Sequence, residues 1–405
     1  MSAPGESPAA AGGQGGGMLP MVVAGFVCVL VGFTSSYAIV VQAGQAMGLD
    51  AAQLATMTAA LALGMGLTTL LPSLWLRIPV VTAWSTPGAA LLAVSLPGVP
   101  LAEAVGAFVA CAVLLTLAGA TGLFERWMSR IPMSIASALL AGVLLRFGLD
   151  AFAGLRAVPA VVGPMLAVFL LARRGSPRWA VPATLAAGLA AVIAGPGLSP
   201  GGAEGGGAIA VASFAPLAWP PAFSVSTFLG VALPLFVVTM ASQNLPGVAV
   251  LRTNGYAQAP ISRLLTVAGV ATLVLAPFGA FALNLAAISA ALCMAPDVHP
   301  DPRRRWVAAA CAGGFYLSVA AFAGPLAAVF AALPREMVIA VAGLALLPTI
   351  GRGLHAAVAN EAEREPALVT FLVTASGLAL WGVGSAFWGV VFGVAALVAW
   401  RPAGR

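Results

Sequence analysis

Apolar stretches follow one another along almost the whole chain, separated by short polar or Gly/Pro-rich intervals. A run of about 20 apolar residues crosses a hydrocarbon core as a helix. The pattern predicts fourteen membrane segments. Seven lie near 19–44, 52–75, 79–97, 101–124, 132–151, 157–172 and 178–196, and seven near 224–250, 262–276, 277–295, 304–323, 325–351, 366–382 and 384–400. Residues 1–17 form a Gly/Ala/Pro/Ser-rich stretch expected to be a disordered tail. The interval 197–223 is rich in Gly and Pro and reads as a linker between two halves, 18–196 and 224–402.

Two segments break the helical pattern. The third opens at Pro79 and continues through Val80, Val81 and Thr82, which favour extended backbone. Trp84, Ser85, Thr86 and Pro87 follow, a hydroxyl cap with proline in the first turn of a short helix. The tenth repeats the plan, with Pro277, Phe278 and Gly279 at its start and Asn284 in the place of Thr86. Each is expected to cross half extended and half helical. Unwound backbone at membrane depth needs protein or a water-filled cavity around it. Two helix N-termini meeting near the midplane would make an anion site without a buried arginine. Polar clusters also interrupt the first segment, at Thr34, Ser35, Ser36, Tyr37 and Gln42, and the eighth, at Ser242, Gln243 and Asn244. Such groups usually face a bundle interior.

The halves resemble each other. "RIPMSIASALLAG" (130–142) and "ALPREMVIAVAG" (332–343) align Pro132 with Pro334, about 202 residues apart. "IPVVTAWSTPGAALL" (78–92) and "APFGAFALNLAAISA" (276–290) align at 198. Seven segments per half is odd, so the second half must enter inverted, as in many secondary transporters. The expected fold is therefore an all-α polytopic membrane protein of two inverted seven-segment repeats.

Composition agrees and adds orientation. Charged residues make up 7% of the chain, against about 25% in soluble domains. All 18 basic residues are arginine. With a cytoplasmic N-terminus, only Arg146, Arg156 and Arg335 fall outside, so both termini are expected in the cytoplasm and the linker in the periplasm of a bacterial inner membrane. The net charge of +6 thus reflects topology rather than a nucleic-acid partner. Cys28, Cys111, Cys293 and Cys311 sit in apolar runs as unpaired thiols, and neither metal nor cofactor is expected. Carboxylates fall near segment ends. Glu103 is the candidate for proton coupling, and Arg146 and Asp150 could pair. Paired midplane carboxylates, metal-ligand clusters and a GxSxG turn are missing, which argues against an enzyme.

"TAWSTPGAALL" (82–92), "MASQNLPGVAVLRTNGY" (240–256), "GFTSSYAIVVQA" (32–43) and "SALLAGVLLRFGLDAF" (137–152) resemble the benzoate/proton symporter family, BenE, from about Leu19 to Trp400. That family is similar in plan to nucleobase and sulfate transporters with seven-plus-seven inverted repeats. The resemblance implies a core domain from segments 1–4 and 8–11, a gate domain from 5–7 and 12–14, substrate between the third and tenth half-helices, and often a homodimer. Nucleobase transporters of this plan carry glutamates on segments eight and ten; here Ser242, Gln243, Asn244 and Asn284 stand there. The expected function is import of benzoate or a related aromatic monocarboxylate with a proton, by alternating access. Ser85, Thr86 and Asn284 would contact the carboxylate. Gln243, Asn244, Thr34 and Ser36 would complete the polar shell, with Trp84, Tyr37 and Phe281 around the ring. The alternatives are another small anion or a nucleobase on the same fold, or a passive anion channel.

Overall fold

The computed structural model describes residues 17–123, 132–175, 179–194, 217–296, 298–331, 333–381 and 383–400. The expected tail up to residue 16, the linker up to 216, Glu125, Asp297 and the topological arginines Arg126, Arg130, Arg178, Arg401 and Arg405 lie outside the described residues.

The first half comprises α1 (Met18–Ala46), α2 (Ala51–Leu76), β1 (Thr82–Trp84), α3 (Thr86–Ser95), α4 (Leu101–Ala120), α5 (Met133–Ala157), α6 (Pro159–Gly175) and α7 (Ala180–Ala194). The second comprises α8 (Val225–Arg252), α9 (Ile261–Leu275), β2 (Leu283–Leu285), α10 (Ile288–Met294), α11 (Trp306–Ala321), α12 (Ala323–Ala331), α13 (Arg335–Val358), α14 (Arg364–Ala375) and α15 (Ser385–Ala399). Among the described residues, six helices are long and apolar enough to cross a membrane alone.

The third and tenth segments are strand followed by helix, as the valines and prolines implied. β1 and β2 pair antiparallel, Thr82 with Leu285, Ala83 with Asn284 and Trp84 with Leu283. Two further bonds extend the ladder, Ser85 N to Ala282 O at 3.0 Å and Ala286 N to Val81 O at 2.9 Å. The halves are thus hydrogen-bonded to each other at the centre of the molecule. The remaining backbone donors find side chains on the surrounding helices. Thr69 Oγ1 on α2 accepts from Thr82 N at 3.0 Å, and Thr272 Oγ1 on α9 accepts from Leu283 N at 3.1 Å. These two threonines do the same task in the two repeats. Every donor so placed removes a cost of several kcal/mol, in the range of ~2–7, for burying an unpaired amide.

Helix packing obeys the same exchange. α2 packs on α11 and α4 on α9, while α5 and α13 pack on each other. The last contact is close: a Cβ on Gly343 would collide with the Phe147 carbonyl oxygen. α5 starts after Pro132 and α13 after Pro334, and α3 and α10 start at Thr86 and Ile288. Both pairs of starts stand 202 residues apart. Helix starts therefore match Ile288 to Thr86, and the strand ladder with its two threonine acceptors matches Leu283 to Thr82 and Asn284 to Ala83, rather than Asn284 to Thr86. The offset of 198 failed because the turn before β2 differs: Ala276–Phe278 is a 3-10 turn closed by Gly279 at φ 86°.

Segment boundaries differ in three places. The fifth helix runs on to Ala157 rather than ending at 151. Residues 325–331 complete the eleventh segment as α12, bent 70° from the preceding helix, and the twelfth begins only after Pro334. The thirteenth helix stops at Ala375, before Gly377 at φ 70°, rather than at 382. The described end of the linker is hydrogen-bonded, Trp219 N to Pro277 O at 2.7 Å and Ala222 N to Ala102 O at 2.8 Å. All four cysteines are free, three of them buried. Arg146 and Asp150 form no ion pair; the ion pair seen among the described residues joins Arg364 to Glu361 at 3.7 Å.

Candidate functional site

A cavity of about 460 Å³ opens beside the β1–β2 crossing, within the usual ~300–1,000 Å³ of small-molecule sites. One wall comes from α1, α2, β1, α3, α8, the start of α10 and α11. The facing wall comes from α5 and α13.

Its floor is set by the start of α3. Ser85 caps that helix, its Oγ accepting from Gly88 N at 3.1 Å, and Pro87 occupies the first turn. Thr239 Oγ1 on α8 donates to the same Ser85 Oγ at 2.9 Å. Ser85 Oγ thus accepts two hydrogen bonds behind the wall, while Thr86 and Pro87 line the cavity.

α8 presents its polar cluster through a widened turn. Met240–Asn244 is π-helical, Leu245 N bonding back to Met240 O. Pro246 follows, and a proline ring clashes with the carbonyl four residues earlier in a regular helix. Widening relieves that clash and turns Ser242 and Gln243 toward the cavity. Asn244 points the other way. It is buried, accepts from Leu285 N at 2.9 Å through Oδ1, and contacts Met240 Sδ at 3.3 Å through Nδ2. A second π turn, Phe228–Ala232, also precedes a Leu–Pro pair, Leu233–Pro234.

The apolar side is aromatic. Trp84 Nε1 donates to Ser36 Oγ at 2.9 Å, and Ser36 donates to Gly32 O at 2.8 Å. Phe33 stands edge-on to Trp84, ring centres 4.6 Å apart, with Tyr316 6.1 Å from Phe33. Phe33, Ser36, Trp84 and Tyr316 all line the cavity. At its mouth Arg352 of α13 is exposed, its Nη2 donating to Thr349 Oγ1 at 3.2 Å.

Of the ten substrate-contact residues expected from sequence, Ser36, Trp84, Thr86 and Gln243 line the cavity. Ser85, Asn244 and Asn284 stand behind its wall. Thr34 donates to Leu30 O within its own helix at 2.7 Å. Tyr37 is buried with its hydroxyl 2.8 Å from Thr58 Oγ1, and Phe281 packs on Phe108 with ring centres 5.9 Å apart. Glu103 lies away from the cavity, at the start of α4, its Oε2 accepting from Ser224 and Thr227 hydroxyls at 2.6 Å each. Sequence reasoning missed Ser289, Tyr316, Thr349 and Arg352. From sequence Arg352 reads only as a topological charge; its one local signal is its place four residues after Pro348.

Broken central segments, a paired crossing and a polar-aromatic cavity between two walls define a multi-pass membrane transport protein. The family described as benzoate membrane transport protein matches residues 17–399. The chain belongs to that family. It is 48% identical over 377 residues to the inner membrane protein YdcO of Escherichia coli K12, covering 92% of this chain and 94% of that one. It is 36% identical over 378 residues to the benzoate membrane transport protein of Acinetobacter baylyi, covering 93% and 94%. Among solved structures, the transmembrane domain of a cyanobacterial bicarbonate transporter, BicA, superposes with a TM-score of 0.55 at 15% identity, over 94% of this chain and 96% of that chain. That likeness establishes the seven-plus-seven inverted-repeat fold.

Proposed function

We propose that this protein imports benzoate or a close aromatic monocarboxylate together with a proton, across a bacterial inner membrane, with both termini in the cytoplasm. The observation that carries the reading is the composition of the central cavity: an aromatic face beside a cluster of neutral hydrogen-bonding groups. The ring would lie against Phe33, Trp84 and Tyr316. The carboxyl group would turn toward the hydrogen-bonding groups of Thr86, Gln243 and Ser289, near the start of α3. Ser85, Asn244, Thr34 and Tyr37 then act from behind, by holding α3, β2 and α1 in place.

The two-walled cavity also suits alternating access. α5–α7 and α13–α15 would form the gate and α1–α4 with α8–α12 the core, the substrate passing when one moves against the other. Arg352 at the mouth would concentrate anions there.

Uptake of labelled benzoate into proteoliposomes under an inward proton gradient tests this. Saturable accumulation above protein-free liposomes is expected, with little competition from uracil, sulfate or bicarbonate. Equal flux with and without protein would sink the proposal, and strong competition by one of those three would reassign the ligand.

A further inference from the structure

We infer that the coupled proton crosses on the substrate's own carboxyl group, and that Asn284 Oδ1 is the acceptor for that O–H. The inference rests on the transport reading above and specifies its chemistry.

Asn284 is wholly buried, and its Oδ1 has no hydrogen-bond partner. A buried polar atom without a partner in a folded protein calls for an explanation. The amide cannot simply be reversed. Nδ2 donates to Ala282 O at 3.2 Å, so exchanging the two atoms would oppose two carbonyl oxygens. Ala282 itself is held at φ 30°, a costly conformation for a residue with a Cβ, and its carbonyl also receives Ser85 N. The local backbone thus holds the amide with its oxygen unpaired. Asn284 lies directly across the ladder from Ala83 and two residues before Ala286. Residues so related share a sheet face, and both Ala83 and Ala286 line the cavity. The orphaned oxygen therefore stands just behind the cavity wall.

An orphaned acceptor requires a donor. A carboxylate has none, whereas a carboxylic acid has one. The protein offers no better proton carrier nearby. On the cavity wall the titratable side chains are Tyr316 of α11 and Arg352 of α13, while α1, α2, β1, α3, α5, α8 and α10 contribute none. Around β2, α2 and β1 carry no titratable residue, and α8 and α9 carry only Arg252 and Arg263, near their ends. Glu103 is committed to Ser224 and Thr227. The step balances simply. Benzoate takes a proton from hydronium on the side of entry, leaving water, and the neutral acid returns it to water on the other side. Arg352 at the open mouth favours the anion there, and so favours release of the proton.

Binding measured by calorimetry on the purified full-length protein tests this. If the acid is the bound species, benzoate affinity falls about tenfold per pH unit above the carboxyl's own pKa. At fixed pH, a series of ring-fluorinated benzoates loses about tenfold per unit of increased acidity. Benzamide, which replaces the acid O–H by an amide N–H, binds with an affinity that does not change with pH. In N284L, checked for an unchanged melting temperature, benzamide affinity is lost. Glu103→Gln retains benzoate-driven proton uptake in proteoliposomes. Benzoate affinity that is flat with pH, combined with exclusion of benzamide, overturns the inference and leaves an anion-binding transporter. So does loss of proton uptake in E103Q, or benzamide binding unchanged in N284L. Failure of benzoate to bind at any pH overturns the transport reading itself, and this inference with it.

Discussion

Asn244 shows how a polar residue in a membrane segment can matter without touching a ligand. Its Oδ1 satisfies Leu285 N inside a strand that has no neighbour on that side. Replacing it by alanine leaves a buried N–H without a partner, at a cost of ~1–3 kcal/mol. Asn244→Ala is therefore expected to lower the melting temperature in detergent and to weaken benzoate binding together. A normal melting temperature with lost binding would instead make Asn244 a direct contact. Its neighbour Gln243 carries the same polarity but faces the cavity. The sequence marks both as polar groups in an apolar run; it does not say which way either points. The cap at Ser85 was legible, because a cap is a contact between residues three apart, but its place behind the cavity wall was not. Asn284 was legible as a polar residue in the broken tenth segment but not as unpaired, since its surroundings come from α8, α9 and the other strand.

At the level of elements, the two Leu–Pro pairs of α8 carry information that periodicity does not. Each follows a π turn, and each proline would collide with a regular helix. Pro246→Ala removes the collision and permits the Met240–Asn244 turn to tighten. Rotation of Gln243 away from the cavity is then expected, with a melting temperature unchanged or raised and benzoate affinity reduced. Retained affinity would show that the widened turn does not depend on the proline. The strand–helix form of the third segment was readable from Pro79, the valines and Ser85–Thr86–Pro87, because all its signals are local. The tenth was readable only by analogy, and its register slipped because Gly279 and the 3-10 turn displace β2 along the chain. The boundary between α12 and α13 was missed for a related reason. Apolar residues flank it closely on both sides, and only Pro334, Arg335 and Glu336 mark the new start.

Over the whole molecule, the cavity reaches the surface near Arg352, between α5 and α13 on one side and the strand crossing on the other. On the proposed alternating-access cycle, an opening at Arg352 belongs to one end of that cycle. In a background without native cysteines, Thr349→Cys and Ser289→Cys are expected to react with a membrane-impermeant thiol reagent from the Arg352 face, and benzoate should slow both. Reaction at Ser289→Cys from both faces at once, unaffected by benzoate, would point to a continuous pore. The fold class and the inverted repeat were readable from hydropathy, the odd number of segments in each half and the matched starts after Pro132 and Pro334. The facing wall was not, because α5 and α13 look like ordinary apolar helices until they are placed. The β1–β2 ladder, finally, bears on how the protein is made. Thr82–Trp84 emerges from the ribosome about 200 residues before its partner Leu283–Leu285. Until then its peptide groups have no strand to meet, and lipid cannot supply one. The third segment must therefore wait, outside the hydrocarbon or sheltered by the insertion machinery, so that membrane insertion ends only when translation has passed the tenth.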